Sequence, residues 1–150
     1  MASIYSIVYR PPGTTYKKVH GPYVRLPLQQ ARLVAGHGIE GDVKGGNPDR
    51  NLNVMSLEWL NDVATQGYLT KPGQMGEQLI IEGLAVETLA PGARLQLGKE
   101  ALIEISKLRT GCELFESAQQ GKTREGLALG AMARVLTGGM IAVGDEVRLV

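Results

Sequence analysis

The chain carries one thiol, Cys112, and two imidazoles, His20 and His37. A single cysteine makes no intrachain disulfide, and this inventory cannot assemble a zinc finger or an iron–sulfur site by itself. It is still compatible with a metal that arrives already chelated and accepts one thiolate. Cys112 stands in the run Lys107-Leu108-Arg109-Thr110-Gly111-Cys112-Glu113. Gly111 lets the backbone turn sharply. A helix predicted over Cys112–Gln120 would set free N–H groups and the positive end of its dipole against the sulfur. Lys107 and Arg109 add charge of the sign that favours thiolate, and Glu113 opposes it. An accessible thiol of low pKa is what nucleophilic sulfur chemistry and soft-metal ligation both require. The plain alternative is a small buried hydrophobe.

A second cluster of chemistry lies upstream. Gly36-His37-Gly38-Ile39-Glu40-Gly41-Asp42 is followed by Gly45-Gly46-Asn47-Pro48-Asp49-Arg50. The spacing of Gly36, Gly38 and Gly41 matches a dinucleotide fingerprint, which must open a helix. Asp42-Val43-Lys44-Gly45-Gly46-Asn47-Pro48 cannot continue as one, so that reading is rejected. Gly121-Lys122-Thr123 resembles the tail of a phosphate-binding loop, but Glu116 stands where the motif needs its first glycine. What survives is an anion nest: backbone N–H groups of the glycine loop, with Lys44 and Arg50 as charge partners. A solvated Arg50 is the competing reading. His37 reads as a turn histidine with no ligand role, and His20, before Gly21-Pro22, carries less information still.

The elements that must hold these groups are short. Ser3–Tyr9 predicts a strand, ended by Pro11-Pro12-Gly13. Thr14 to Ala35 is mixed, with Gly21-Pro22 and Pro27 excluding a long helix. The glycine segment is expected to be a loop. Asn51–Ser56 alternates as a strand, and Ser56 caps a helix from Leu57 to about Gln66, with Gly67 ending it. Glu77–Glu82, Ala101–Leu108, Ala133–Thr137 and the alternating runs within Gly92–Leu97 and Gly144–Leu149 complete the strands. The segments beginning at Gly92 and Gly144 resemble each other, a glycine turn followed by an alternating strand. Twenty glycines in 150 residues, nearly double the usual share of about 7%, suit short strands joined by tight turns. The expectation is one domain over residues 1–150, mostly β, a barrel of about seven strands with one or two short helices.

Composition excludes several functions. Sixteen Lys and Arg against fifteen Asp and Glu leave a formal charge of +1, which argues against a broad nucleic-acid grip. One Phe, one Trp and five Tyr supply few stacking platforms for single strands. No apolar run approaches the roughly 18 residues of a membrane span, and the N-terminus lacks a basic, then apolar, leader. The expected location is cytoplasmic, with no membrane and no nucleic acid as partner.

Several segments, taken in order, are similar to a known family. They are Gly38-Ile39-Glu40-Gly41-Asp42; Gly46-x-Pro48-Asp49-Arg50; Gly76-Glu77-Gln78-Leu79 with Gly83; Arg109-x-x-Cys112; and Ala133-Arg134-Val135-Leu136 with Gly139-x-Ile141-x-x-Gly144-Asp145. Over nearly the whole chain they resemble the MOSC domain, named for the C-terminal part of molybdenum cofactor sulfurase. The resemblance implies a mostly β barrel and a cysteine, here Cys112, that carries sulfur as a persulfide or ligates molybdenum held by a pterin dithiolene. It implies cofactor or phosphate contacts for Arg50 and Arg109. Lys107 joins them on electrostatic grounds alone. The implied cofactor is the molybdenum cofactor, a molybdopterin. The implied partners are a pyridoxal-phosphate-dependent cysteine desulfurase, a molybdenum-cofactor enzyme, or the small-molecule pterin itself. Gly111 departs from a proline common before the cysteine, and Gln78 from a common asparagine. Reductase members carry an additional domain, for which 150 residues leave no room.

Three functions follow as expectations. The first is a sulfur carrier for molybdenum-cofactor or metal–sulfur centre biogenesis, with Cys112 as the persulfide-forming thiol beside a basic anion site. The second is a molybdenum-pterin reductase of N-hydroxylated compounds, with Cys112 as metal ligand. The third is a non-catalytic small-barrel binding module. Sulfurtransferase-like and molybdenum-cofactor-dependent enzymes are thus both left open.

Overall fold

The computed structural model describes residues 1–13, 25–109, 119 and 128–150. His20, Cys112 and, apart from Gln119, the helix expected over Cys112–Gln120 lie outside the described residues. So do residues 14–24, the first half of the segment from Thr14 to Ala35 that carried no clear pattern.

Eleven strands are formed among the described residues: β1 (Ala2–Tyr9), β2 (Leu26–Leu28), β3 (Gln30–Val34), β4 (Gly38–Ile39), β5 (Leu52–Ser56), β6 (Leu79–Glu82), β7 (Arg94–Leu97), β8 (Ala101–Leu108), β9 (Ala131–Thr137), β10 (Gly139–Ala142) and β11 (Glu146–Leu149). One helix, α1 (Leu57–Ala64), and a 3₁₀ turn at Val86–Thr88 accompany them. Seven strands close a barrel in the order β11-β7-β8-β9-β5-β6-β1, and β1 returns to β11 through Ala2↔Val147 and Ser3↔Glu146. The two glycine-plus-strand segments that resemble each other, β7 and β11, lie side by side and antiparallel, Leu97 opposite Val147. A second sheet, β10-β3-β4, completes the fold.

Alternation explains the interior. On β8, Ala101, Ile103 and Ile105 point inward, and Leu95, Leu97, Ala131, Ala133 and Val135 meet them, all buried. β5 departs from that pattern because all five of its residues are buried. Its inner face, Leu52 and Val54, joins the barrel core. Its outer face, Met55, packs under α1 with Leu60, Val63, Met75, Ile80 and Leu129. Between the parallel strands β5 and β6 the helix α1 crosses over the barrel wall, the one such place among the described residues, and strands covered on both faces lose the polar half of their alternation.

Three details correct the expectations. The glycine segment is not wholly irregular, since Gly38 and Ile39 pair with Val34 and Leu33 as β4. The mixed segment contains β2 and β3. Pro27 is tolerated there because, among the described residues, β2 pairs with β1 alone and forms a sheet edge. Ser56 stands at the N-cap, but its hydroxyl makes no cap bond. It accepts from the Val86 N–H, and its one proton lies between Glu87 Oε1 and the Leu84 carbonyl.

Candidate functional site

The glycine loop is stapled at its base by Asn51. This residue is 1% exposed. Its side-chain amide donates to the carbonyls of Gly36 and Asn47, at 3.2 and 2.8 Å, while its Oδ1 accepts the Val135 N–H at 2.9 Å. Gly38 sits at φ +120°, and a Cβ there would collide with the Asn51 carbonyl oxygen. Glycine is therefore required for the loop to close on β5. Farther along, Asn47 and Asp49 form a side-chain-capped turn. Arg134 on β9 grips it through the Pro48 carbonyl and the Asp49 carboxylate, which sets where Arg50 leaves the loop.

Two polar networks then join this loop to the segment before β6. In the first, Asp42, 2% exposed, accepts the backbone N–H groups of Arg10 and Lys44 on Oδ1, each at 3.1 Å, and Gln78 Nε2 on Oδ2 at 3.2 Å. Gln78 Oε1 in turn accepts the Asn53 N–H at 2.7 Å, and Asn53 Nδ2 donates to the Gly76 carbonyl. The second is built on Glu77, which has no solvent exposure. Its carboxylate accepts the N–H groups of Gly73 (2.6 Å) and Met75 (3.2 Å). Burial raises its pKa to about 7, against the opposing pull of those N–H groups and of nearby Arg109. Arg109, itself 6% exposed, donates Nη1 to the Met75 carbonyl. Gln119 plugs into the same stretch, with Nε2 on the carbonyls of Leu69 and Gln74 and Oε1 on the Leu69 N–H.

On top of these networks four cations gather. Lys44 is half-buried and its pKa is lowered. Burial is the leading cause, followed by the positive charges of Arg25, Arg10 and Arg50, with Asp42 pulling the other way. Arg25 lies across Gly73, where a Cβ would come within 2.7 Å of its own Cβ. A lysine that is partly desolvated and feels three arginines sits in an electropositive region, and such a region attracts phosphate-like groups.

The structure thus brings Arg50 together with Lys44, Arg10 and Arg25. Arg109 goes elsewhere, with its guanidinium buried on the loop before β6. Lys107 is exposed on β8, opposite Met132. Arg10, Arg25 and the burial of Glu77 were not legible in the sequence as features of a site. The one cue was position, since Arg10 ends β1 against a Pro-Pro-Gly turn as Arg50 ends the glycine loop. Among the described residues no three His, Cys, Asp or Glu side chains gather as metal ligands, so a metal here depends on a donor from outside that set. No helix among the described residues is long and apolar enough to cross a membrane.

A family model described as the MOSC domain matches residues 40–148. No sequence among the curated proteins matches the chain. Several solved structures share the fold. The YiiM protein of Geobacillus stearothermophilus superposes with a TM-score of 0.74 at 21% identity, over 100% of this chain and 75% of that one. The YuaD protein of Bacillus subtilis gives 0.75 at 17% identity, over 98% and 94%. YiiM of Escherichia coli gives 0.62 at 23% identity, over 99% and 69%.

Proposed function

Since this chain belongs to the MOSC domain family, a family associated with the molybdenum cofactor, we propose that it carries sulfur for that cofactor or for a metal–sulfur centre, with Cys112 as the sulfur-bearing thiol beside an anion site. The observation that carries the reading is that Asp42 Oδ1 holds the backbones of Arg10 and Lys44 side by side, with Arg25 packed over Gly73 and Arg50 ending the same glycine loop. The cofactor ends in a phosphate. Four cations, one of them a lysine whose pKa burial and three arginines lower, suit such a group. Cys112 follows Arg109 by three residues, a reach of at most about 11 Å along the chain. Arg109 is anchored on the Met75 carbonyl.

The chemistry is a thiol exchange. The Cys112 thiolate attacks the outer sulfur of a donor persulfide, the new S–S bond forms as the donor S–S bond breaks, and the donor leaves as its thiolate. The outer sulfur keeps its proton and its sulfane oxidation level as it moves, so no external oxidant is needed. A cysteine desulfurase is the natural class of donor. When bound, the molybdenum cofactor supplies the redox metal. Arg10, Arg25, Lys44 and Arg50 would hold its phosphate and Cys112 would offer it sulfur.

The test incubates the protein with a cysteine desulfurase and radiolabelled cysteine. The expected result is label on the wild-type chain that dithiothreitol releases, and none on Cys112→Ala. Label of equal yield on Cys112→Ala overturns the assignment. Stoichiometric molybdenum in protein purified from cofactor-competent cells, without a persulfide in its intact mass, moves the assignment to the reductase reading, in which the same thiol is a metal ligand.

A further inference from the structure

We infer that Asp42 is the positioning residue of the cation cluster, an acid kept inside an anion site because its hydrogen bonds aim the cations. The inference rests on the reading of that cluster as a phosphate site. Asp42 lies on none of the strands, yet its carboxylate joins three separated parts of the chain. Oδ1 holds the N–H groups of Arg10, just after β1, and of Lys44, in the glycine loop. Oδ2 holds Gln78, one residue before β6. Its own backbone carbonyl receives the Gly45 N–H at 3.1 Å, and the neighbouring Val43 N–H reaches the Arg10 carbonyl at 2.9 Å. The result is a laced seam between the end of β1 and the loop. Arg10 and Lys44 emerge from that seam as neighbours, close enough for Arg10 to disfavour the charge on Lys44.

Two effects of this one side chain oppose each other. As a charge, Asp42 offsets part of the cluster's field and weakens its pull on an anion. As an acceptor, it fixes the backbone from which two of the four cations project, and a group bound through several charges gains from pre-set donors. An acid of purely electrostatic consequence and an acid that positions therefore predict opposite signs when its charge is removed.

The measurement is the dissociation constant of inorganic phosphate, by titration calorimetry at low ionic strength, for wild type, Asp42→Asn and Asp42→Glu. Far-ultraviolet circular dichroism checks that each variant is folded. Asp42→Asn keeps the shape, loses the charge and sets an amide N–H₂ against that of Gln78. Asp42→Glu keeps the charge and moves the carboxylate by one methylene. The expected result is binding at least five-fold weaker in both. Asp42→Asn binding as tightly as wild type or tighter, or Asp42→Glu binding like wild type, overturns the inference while leaving the phosphate site standing. Should one variant not fold, the other decides alone, since each tests the same sign. No phosphate binding by the wild type removes the site and the inference together, a different outcome from either variant result.

Discussion

Glu77 is the residue whose burial has the clearest consequence. A carboxyl group with no exposure and a pKa raised from 4.5 to about 7 binds its proton more tightly folded than unfolded. Its contribution to stability is therefore fully present below about pH 4.5 and is lost as pH rises through 7. A shift of that size corresponds to about 3 kcal/mol between those limits. Glu77→Gln removes the titration but leaves one of the two N–H donors, Gly73 or Met75, facing an amide N–H₂, at a cost of about 1 kcal/mol or more. Urea unfolding at pH 5 and pH 8 checks both. The wild type should lose stability across that interval relative to the variant, and the gap between the two should narrow or invert at the higher pH. A constant gap would mean that Glu77 is ionised throughout, held so by Arg109.

At the scale of elements, the glycine loop and the segment before β6 do the positioning, and both were only half legible. The strands around them announce themselves by alternation, as in Ala101–Leu108, where small and β-branched residues face the core. The loop announces itself by its glycines, and Gly38 shows why. At φ +120° against the Asn51 carbonyl, any side chain is strained as well as crowded. Gly38→Ala should cost about 2 kcal/mol or more, measured by denaturant unfolding, and should weaken phosphate binding along with it because Lys44 and Arg50 share that loop. Full stability in this variant would mean that the loop is free to shift off β5. What sequence reading cannot supply is the burial of Asp42, Asn53, Glu77 and Gln78. Polar residues near glycines read as solvated, and only pairing across more than twenty residues, as between Asn53 and Gln78, shows that they face one another. The same holds for Arg109, whose Nη1 donates to the Met75 carbonyl across more than thirty residues, which makes it an anchor for the chain that leads to Cys112.

For the whole molecule the decisive feature is how the barrel shuts. The wall is strongest where β8 and β9 run together from Leu102↔Thr137 to Leu108↔Ala131. It is thinnest at the seam, where β1 and β11 share only Ala2↔Val147 and Ser3↔Glu146, helped by the bonds of Ile4 N–H to the Asp145 carbonyl and of Gly144 N–H to the Ile4 carbonyl. β1 also carries β2 and β6, so it stays attached when β11 lets go. The cation site is built past the opposite end of β1, at Arg10, and on the glycine loop and the segment before β6. Opening of the seam should therefore leave the site intact. Native-state hydrogen exchange resolves this. The amides of Ile4 and Gly144 should exchange at least ten-fold faster than those of Ile103 and Ile105 on β8, through a sub-global opening insensitive to phosphate. Phosphate should slow exchange at Lys44 and Asn51 instead. Equal protection at the seam and on β8 would show that the barrel opens only as a whole, and would tie the stability of the site to the far side of the sheet.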